Sequence, residues 1–321
     1  MKKRQYNYVD FNNNIDDNNF SQSQTNFYPK YNLKTESNIL STKNITSKNP
    51  KYNTINEKIE DRIYVEDADI SMNYIGKPII NSNLYEFTCY ETKEKYLAKR
   101  GNLYNISKEA NILKNLNHKN ILKWKRYFTE DNNIYMLYEN YGNITLEEYM
   151  KQKKILSENE VKYIITELID LLKYLKKHNI IHRNLRLSNI IVNKKGEIKV
   201  MGFDSAVKLY PGQNSIEEKT DINGNYVFSP ESSLLYLYLS KKDTMFFSYE
   251  TDLWAVGKIM FSLLVGELPK NKENSNKHEI YEINVDISYK AADCIKRLME
   301  PNPKDRIRLN QVFLLPFFKE I

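Results

Sequence analysis

Up to about residue 65 the apolar side chains are scattered among Asn, Ser, Thr and Lys with no period of 2 or 3.6, so no strand or helix is predicted there. Such a segment cannot bury enough apolar surface to offset its ordering entropy, and residues 1–65 are expected to be a disordered polar tail. From about residue 69 the texture changes. Short apolar runs over 74–80, 84–90, 94–100, 121–127 and 133–138, separated by polar turns, predict five strands. A helix is predicted over 107–117, where Ala110, Leu113 and Leu116 make one stripe.

After Glu139 the pattern turns helical. Thr145 with Glu148, and Ser157 with Glu160, each have the spacing of a capping box. The second opens a run in which Val161, Ile164, Ile165, Leu168, Leu172 and Leu175 repeat at helical spacing. Residues 251–265 are apolar nearly all round, which predicts a helix buried on every side. Further helices are predicted over 291–300 and 309–316. The order gives an α+β protein of two lobes: a small strand-rich lobe with one main helix over about 66–139, and a larger helical lobe over about 140–321.

Composition adds limits. The chain is 41% apolar, enough for a substantial core, and its formal charge of +7 is dispersed through both lobes. No aromatic-studded basic stripe accompanies that charge, so nucleic acid is not an expected partner. Cys89 and Cys294 stand far apart in no metal-ligand spacing, which suits a reducing compartment. No secretory leader is visible at Met1-Lys2-Lys3-Arg4, and no apolar run is long enough to cross a bilayer. An intracellular protein without a membrane partner is expected, cytoplasmic with the nucleus left open.

The chemistry sits in an ordered set of motifs. Lys99 ends Glu94-Lys95-Tyr96-Leu97-Ala98-Lys99, and Glu109 follows in Lys108-Glu109-Ala110-Asn111-Ile112-Leu113. Then come Tyr138-Glu139-Asn140-Tyr141, His182-Arg183-Asn184-Leu185-Arg186-Leu187-Ser188-Asn189 and Met201-Gly202-Phe203-Asp204. Phe228-Ser229-Pro230-Glu231, Asp252-Leu253-Trp254 and Asn302-Pro303-Lys304-Asp305-Arg306 complete it. From about residue 70 onward this order resembles the eukaryotic protein kinase family.

The resemblance implies a bilobal kinase-like fold and a role for each matched residue. Lys99 matches the strand lysine on the nucleotide phosphates and Glu109 its helix partner, although the interval between them is short for the family. Either the helix is truncated or the ion pair is not formed. Tyr138 matches the gatekeeper, Glu139 and Tyr141 the hinge, and Ile191 the floor of the nucleotide pocket. Leu97 falls where a small alanine roofs the adenine, unless a slip of one residue puts Ala98 there. Leu113, His182, Phe203 and Asp252 match the column joining the lobes, which makes His182 a packing residue. An ion pair between Glu231 and Arg306 is expected in the large lobe. Arg183 matches a residue that can neutralise an activation-segment phosphate, for which Ser215 and Thr220 offer hydroxyls.

Two departures, at Asn184 and Gly202, decide the expected function, and others add to them. Asn184 stands where the family has its catalytic aspartate, and an amide cannot accept a proton at neutral pH. Gly202 replaces the aspartate that holds magnesium. Asn189 and Asp204 remain as candidate metal ligands, but on an extended segment Asp204 would be displaced by about 6.6 Å. The phosphate-covering loop keeps Gly76 but has Pro78, which lacks an amide donor, two residues later. Arg186 takes the place of the lysine beside the transferred phosphate. The expectation is a pseudokinase that binds other proteins, such as an active kinase or its substrate, in phosphorylation signalling. No cofactor is required by this reading: whether ATP binds is left open, any ATP binding would be weak or metal-independent, and magnesium is not expected. The alternative is a residual ATP-dependent protein kinase with an atypical metal site.

Overall fold

The computed structural model describes residues 74–79, 84–130, 133–219, 244–269 and 286–319. The expected disordered tail lies outside the described residues, as do Thr220 and the 228–231 motif.

The small lobe is an antiparallel sheet of β1 (Tyr74–Pro78), β2 (Leu84–Cys89), β3 (Lys95–Gly101), β4 (Trp124–Glu130) and β5 (Asn133–Glu139), in the order β1-β2-β3-β5-β4. Alternation gives it two apolar faces. Ala98, Phe87, Tyr135 and Leu137 pack on one; Leu84, Leu97, Met136 and Tyr138 join the main core on the other. Leu97 therefore shares its face with Lys99, and there is no slip that would bring Ala98 to the cleft.

Helix α1 (Leu103–Leu113) begins four residues before the predicted start. The reason is Asn102, whose side-chain oxygen accepts the Asn105 N–H at 2.8 Å and caps the helix right after β3. Ala110 and Leu113 are buried as the stripe required, while Leu116 lies beyond the helix end yet still packs on the core. The strand predicted over 121–127 also moves. Ile121 and Leu122 leave the sheet: Ile121 bridges to Val200, and the Leu122 N–H donates to the Val200 carbonyl at 2.9 Å, so both serve packing between the lobes.

The large lobe follows the capping signals. Thr145 and Ser157 each form a complete capping box, opening α2 (Leu146–Lys153) and α3 (Glu158–Lys177). Each cap contributes about 1 kcal/mol. The short strands β6 (Ile144–Thr145), β8 (Ile190–Val192) and β9 (Ile198–Val200) form one sheet, and β7 (Ile180–Ile181) pairs with β10 (Val207–Lys208). β11 (Ser215–Lys219) pairs with β12 (Thr244–Ser248), which leads into α4 (Tyr249–Val265).

α4 is the buried helix the sequence predicts, with apolar residues covered on all sides. It lies close on α5 (Tyr289–Leu298): a Cβ on Gly257 would stand 2.6 Å from Met299 Cγ. The helix predicted over 309–316 is not an α-helix. It reduces to a 3₁₀ turn at Val312–Leu314, because Pro316 disfavours helix in the residue before it and cannot donate back. No helix of the described residues is long and apolar enough to cross a membrane. The expected partner of Arg306, Glu231, lies outside the described residues. Arg306 itself is buried and donates to the carbonyls of Glu250 and Glu300 at 2.6 and 2.8 Å.

Candidate active site

The loop carrying residues 182–189 is anchored from below by α4. Asp252, buried at its first turn, accepts the backbone N–H of His182 at 2.8 Å and of Arg183 at 2.9 Å. Those bonds hold Arg183 at a φ of +61°, a conformation that L-residues adopt only under constraint. The Arg183 guanidinium lies over the Phe247 ring, 4.7 Å from its centroid, and its Nε donates to the Ser205 carbonyl at 2.6 Å. His182 is fully buried against Phe203, with ring centroids 4.4 Å apart. Burial drives its pKa down to about 4, so it packs as a neutral ring. Phe203 and Leu113 meet in the same core, so the lobe-joining column is assembled.

Lys99 and Glu109 form their ion pair at 3.4 Å. The short interval between them is accommodated because only Asn102 separates β3 from α1, and α1 spans only 11 residues. Glu109 is buried, and its Oε1 accepts three donors: the Tyr138 hydroxyl at 2.7 Å and the Gly202 and Phe203 N–H groups at 3.0 Å each. The helix glutamate thus fixes the start of the altered triplet as well as the lysine.

Asp204 is where the sequence argument fails. Residues Phe203–Ser205 form a 3₁₀ turn, not an extended segment, and Gly202 enters it in the left-handed region at φ +83°. The turn folds Asp204 back toward the cleft instead of leaving it displaced. Its Oδ2 lies 3.0 Å from Lys99 Nζ, and its Oδ1 accepts from Asn184 Nδ2 at 3.1 Å and from the Ser205 N–H at 3.0 Å. Burial alone would raise its pKa, but the Lys99 ammonium and the Asn184 amide hold the carboxyl below the usual range. For Lys99, burial opposes the charge, and the Glu109 and Asp204 carboxylates overcome it to raise its pKa.

Asn184 and Asn189 are brought together as the motif requires. Asn189 Nδ2 donates to the Asn184 carbonyl at 2.8 Å, and Asn184 Oδ1 is buried without a partner among the described residues. Gly202 is packed tightly on Asn189: a Cβ there would come within 2.8 Å of the Asn189 Cγ and Nδ2 atoms.

Magnesium requires several oxygen ligands in octahedral geometry, usually including carboxylates. This donor set does not fit it. Gly202 offers no side-chain oxygen, and both Asp204 oxygens already face the Lys99 ammonium or the Asn184 and Ser205 N–H groups, so a cation there would meet a positive charge 3.0 Å from the carboxylate.

A cavity of about 480 Å³ opens between the lobes, lined among others by Leu84, Lys99, Thr145, Arg186, Asn189 and Met201. Arg186 is exposed at its rim. The other sequence-nominated nucleotide residues do not line it. Glu139 turns its carboxylate to the Lys123 N–H at 3.0 Å and to Lys199, whose ammonium sits 4.6 Å from the Tyr141 ring centroid. Ile191 is buried in β8 in the same core as Leu97. Sequence reasoning missed Thr145, Lys151, Ser188 and Met201 as cleft residues. It saw the capping box at Thr145, but a cap signal says nothing about which way the helix faces. It also named Tyr138 without finding its bond to Glu109.

A five-stranded small lobe, a helical large lobe and a lysine–glutamate pair facing an anchored loop define a protein kinase fold. The sequence profile of the protein kinase domain matches residues 83–318. Among curated proteins, the chain is 32% identical over 235 residues to the serine/threonine-protein kinase polo of Drosophila melanogaster, covering 70% of this chain and 38% of that protein. It is 30% identical over 221 residues to serine/threonine-protein kinase PLK2 of Mus musculus, covering 66% of this chain and 30% of that protein. A probable serine/threonine-protein kinase, CCRP1 of Zea mays, is 32% identical over 224 residues, or 66% of this chain and 33% of that one. The chain belongs to the protein kinase domain family. The matched regions amount to between about 30% and 38% of these relatives' lengths.

Proposed function

We propose that this chain is a pseudokinase, a kinase-shaped domain that acts by binding another protein in phosphorylation signalling. The partner it suits is an active kinase or that kinase's substrate. The observation that carries the reading is the state of Asp204. The carboxylate nearest the phosphate-binding lysine is already engaged with Lys99, Asn184 and Ser205, while Gly202 supplies no metal ligand and Asn184 no base. Loss of a general base alone costs roughly 10²–10⁴ in rate. What is kept points the same way: the loop anchored by Asp252 and the packing of His182 on Phe203 preserve the shape that a partner would read. Cys89 and Cys294 are buried and unbridged, which suits the cytoplasmic setting this reading implies.

A second reading is a residual serine/threonine kinase. It is favoured by the same Asp204, whose carboxylate does reach the cleft, and by relatives that carry the name serine/threonine-protein kinase. The test is phosphate transfer from ATP with magnesium to serine- and threonine-containing peptides. The pseudokinase reading expects no transfer above that of a Lys99→Ala variant. Transfer by the native chain that Lys99→Ala abolishes would replace it with the second reading.

A further inference from the structure

Lys99 is met by two carboxylates of unequal freedom. Glu109 is buried and pinned through its other oxygen by Tyr138, Gly202 and Phe203. Asp204 rides on a three-residue turn, with its side chain 20% exposed and its carboxylate 3.0 Å from Lys99, which lines the cleft. One ammonium and two carboxylates leave the trio net negative. A ligand phosphate approaching Lys99 therefore meets a like charge, the Asp204 carboxylate, already paired with the ammonium it would contact.

We propose that Asp204 is a tethered anion that occupies Lys99 in place of a ligand phosphate, so that a phosphate-bearing nucleotide binds the cleft only by displacing it. The proposal deepens the pseudokinase reading and rests on its metal-free site. The exposed Arg186 and the cavity of about 480 Å³ supply a landing place once Asp204 swings away. Apparent affinity is then reduced by the fraction of molecules in which Lys99 is already paired. In this chain the residue following Phe203 works against nucleotide binding.

The experiment is calorimetric titration of the full chain with ATP in EDTA, comparing native protein with Asp204→Asn and Asp204→Ala. Asp204→Asn keeps an oxygen for Asn184 and Ser205, so the turn survives even if Asp204→Ala does not fold. Glu91→Gln, on the exposed turn between β2 and β3, removes the same charge far from Lys99 and serves as the control. The expected result is metal-free affinity raised by at least about tenfold in the Asp204 variants and unchanged in Glu91→Gln. Equal or weaker binding by Asp204→Asn overturns the proposal while leaving the noncatalytic reading intact. Magnesium-dependent tightening in the native chain that Asp204→Asn loses also overturns it, since Asp204 would then be a metal ligand. Phosphate transfer by the native chain would remove the noncatalytic reading and leave the metal-free affinity ratio to decide the tether.

Discussion

The Tyr138 hydroxyl donates to Glu109 Oε1 at 2.7 Å, both groups buried, on the oxygen that also receives two backbone N–H groups of the altered triplet. A buried tyrosine of β5 is thereby wired to the helix of the small lobe and to the loop of the large one. Burial raises the Tyr138 pKa well above its ordinary value, with the Glu109 carboxylate adding to the effect, so the phenol is protonated and donates at neutral pH.

Tyr138→Phe keeps the ring and deletes that donor. Hydrogen bonds to a charged acceptor contribute about 1.5–3 kcal/mol, and Glu109 retains Lys99 and two amides. Urea unfolding should show a loss of about 2 kcal/mol with an unchanged m-value. A loss below about 0.5 kcal/mol would mean that the bond is not part of the stabilising network.

Gly202 is held in the left-handed region against the Asn189 amide, and neither feature admits a side chain. Gly202→Asp, the change that would put a carboxylate back in the family position, should therefore destabilise the chain by about 1–3 kcal/mol. Gly202→Ala should cost a similar amount, because the conflict starts at Cβ. Denaturant midpoints for the two variants check this. Native-like stability for Gly202→Asp would contradict the packing described.

The pH dependence of stability has two opposed contributors at the loop anchor. Burial lowers the His182 pKa from 6.5 to about 4, so its contribution is full above pH 6.5 and is lost as pH falls toward 4. Burial raises the Asp252 pKa from 3.8 to about 6 despite its two backbone donors, so its contribution is full below 3.8 and is lost as pH rises through 6. Each is on the order of 3 kcal/mol, and they largely cancel in the native chain. His182→Phe removes only the first. The stability gap between native and variant protein should shift by about 3 kcal/mol in the variant's favour from pH 7 to pH 4. A gap independent of pH would contradict a neutral, buried His182.

Much of this architecture was legible from residue order alone. The capping boxes at Thr145 and Ser157 and the all-apolar stretch around Trp254 are local signals, and local physics decided those helices. Boundaries slipped where tertiary contacts took over. Asn102 started α1 early by capping it against β3, and Ile121 was drawn out of its expected strand to pack on Val200. Pro316 undid the helix predicted over 309–316. In the site, the identities of Asn184, Gly202 and Asp204 were plain. The position of Asp204 was not, because a single left-handed glycine turned an expected extended segment into a 3₁₀ turn.

The central claim is that the oxygens a magnesium ion would need are missing at Gly202 and already engaged at Asp204. Thermal unfolding of the native chain with ATP, in magnesium and in EDTA, tests it most directly. Any stabilisation by ATP should be small and equal in the two conditions. A clear rise in Tm with ATP that appears only in the presence of magnesium would contradict it.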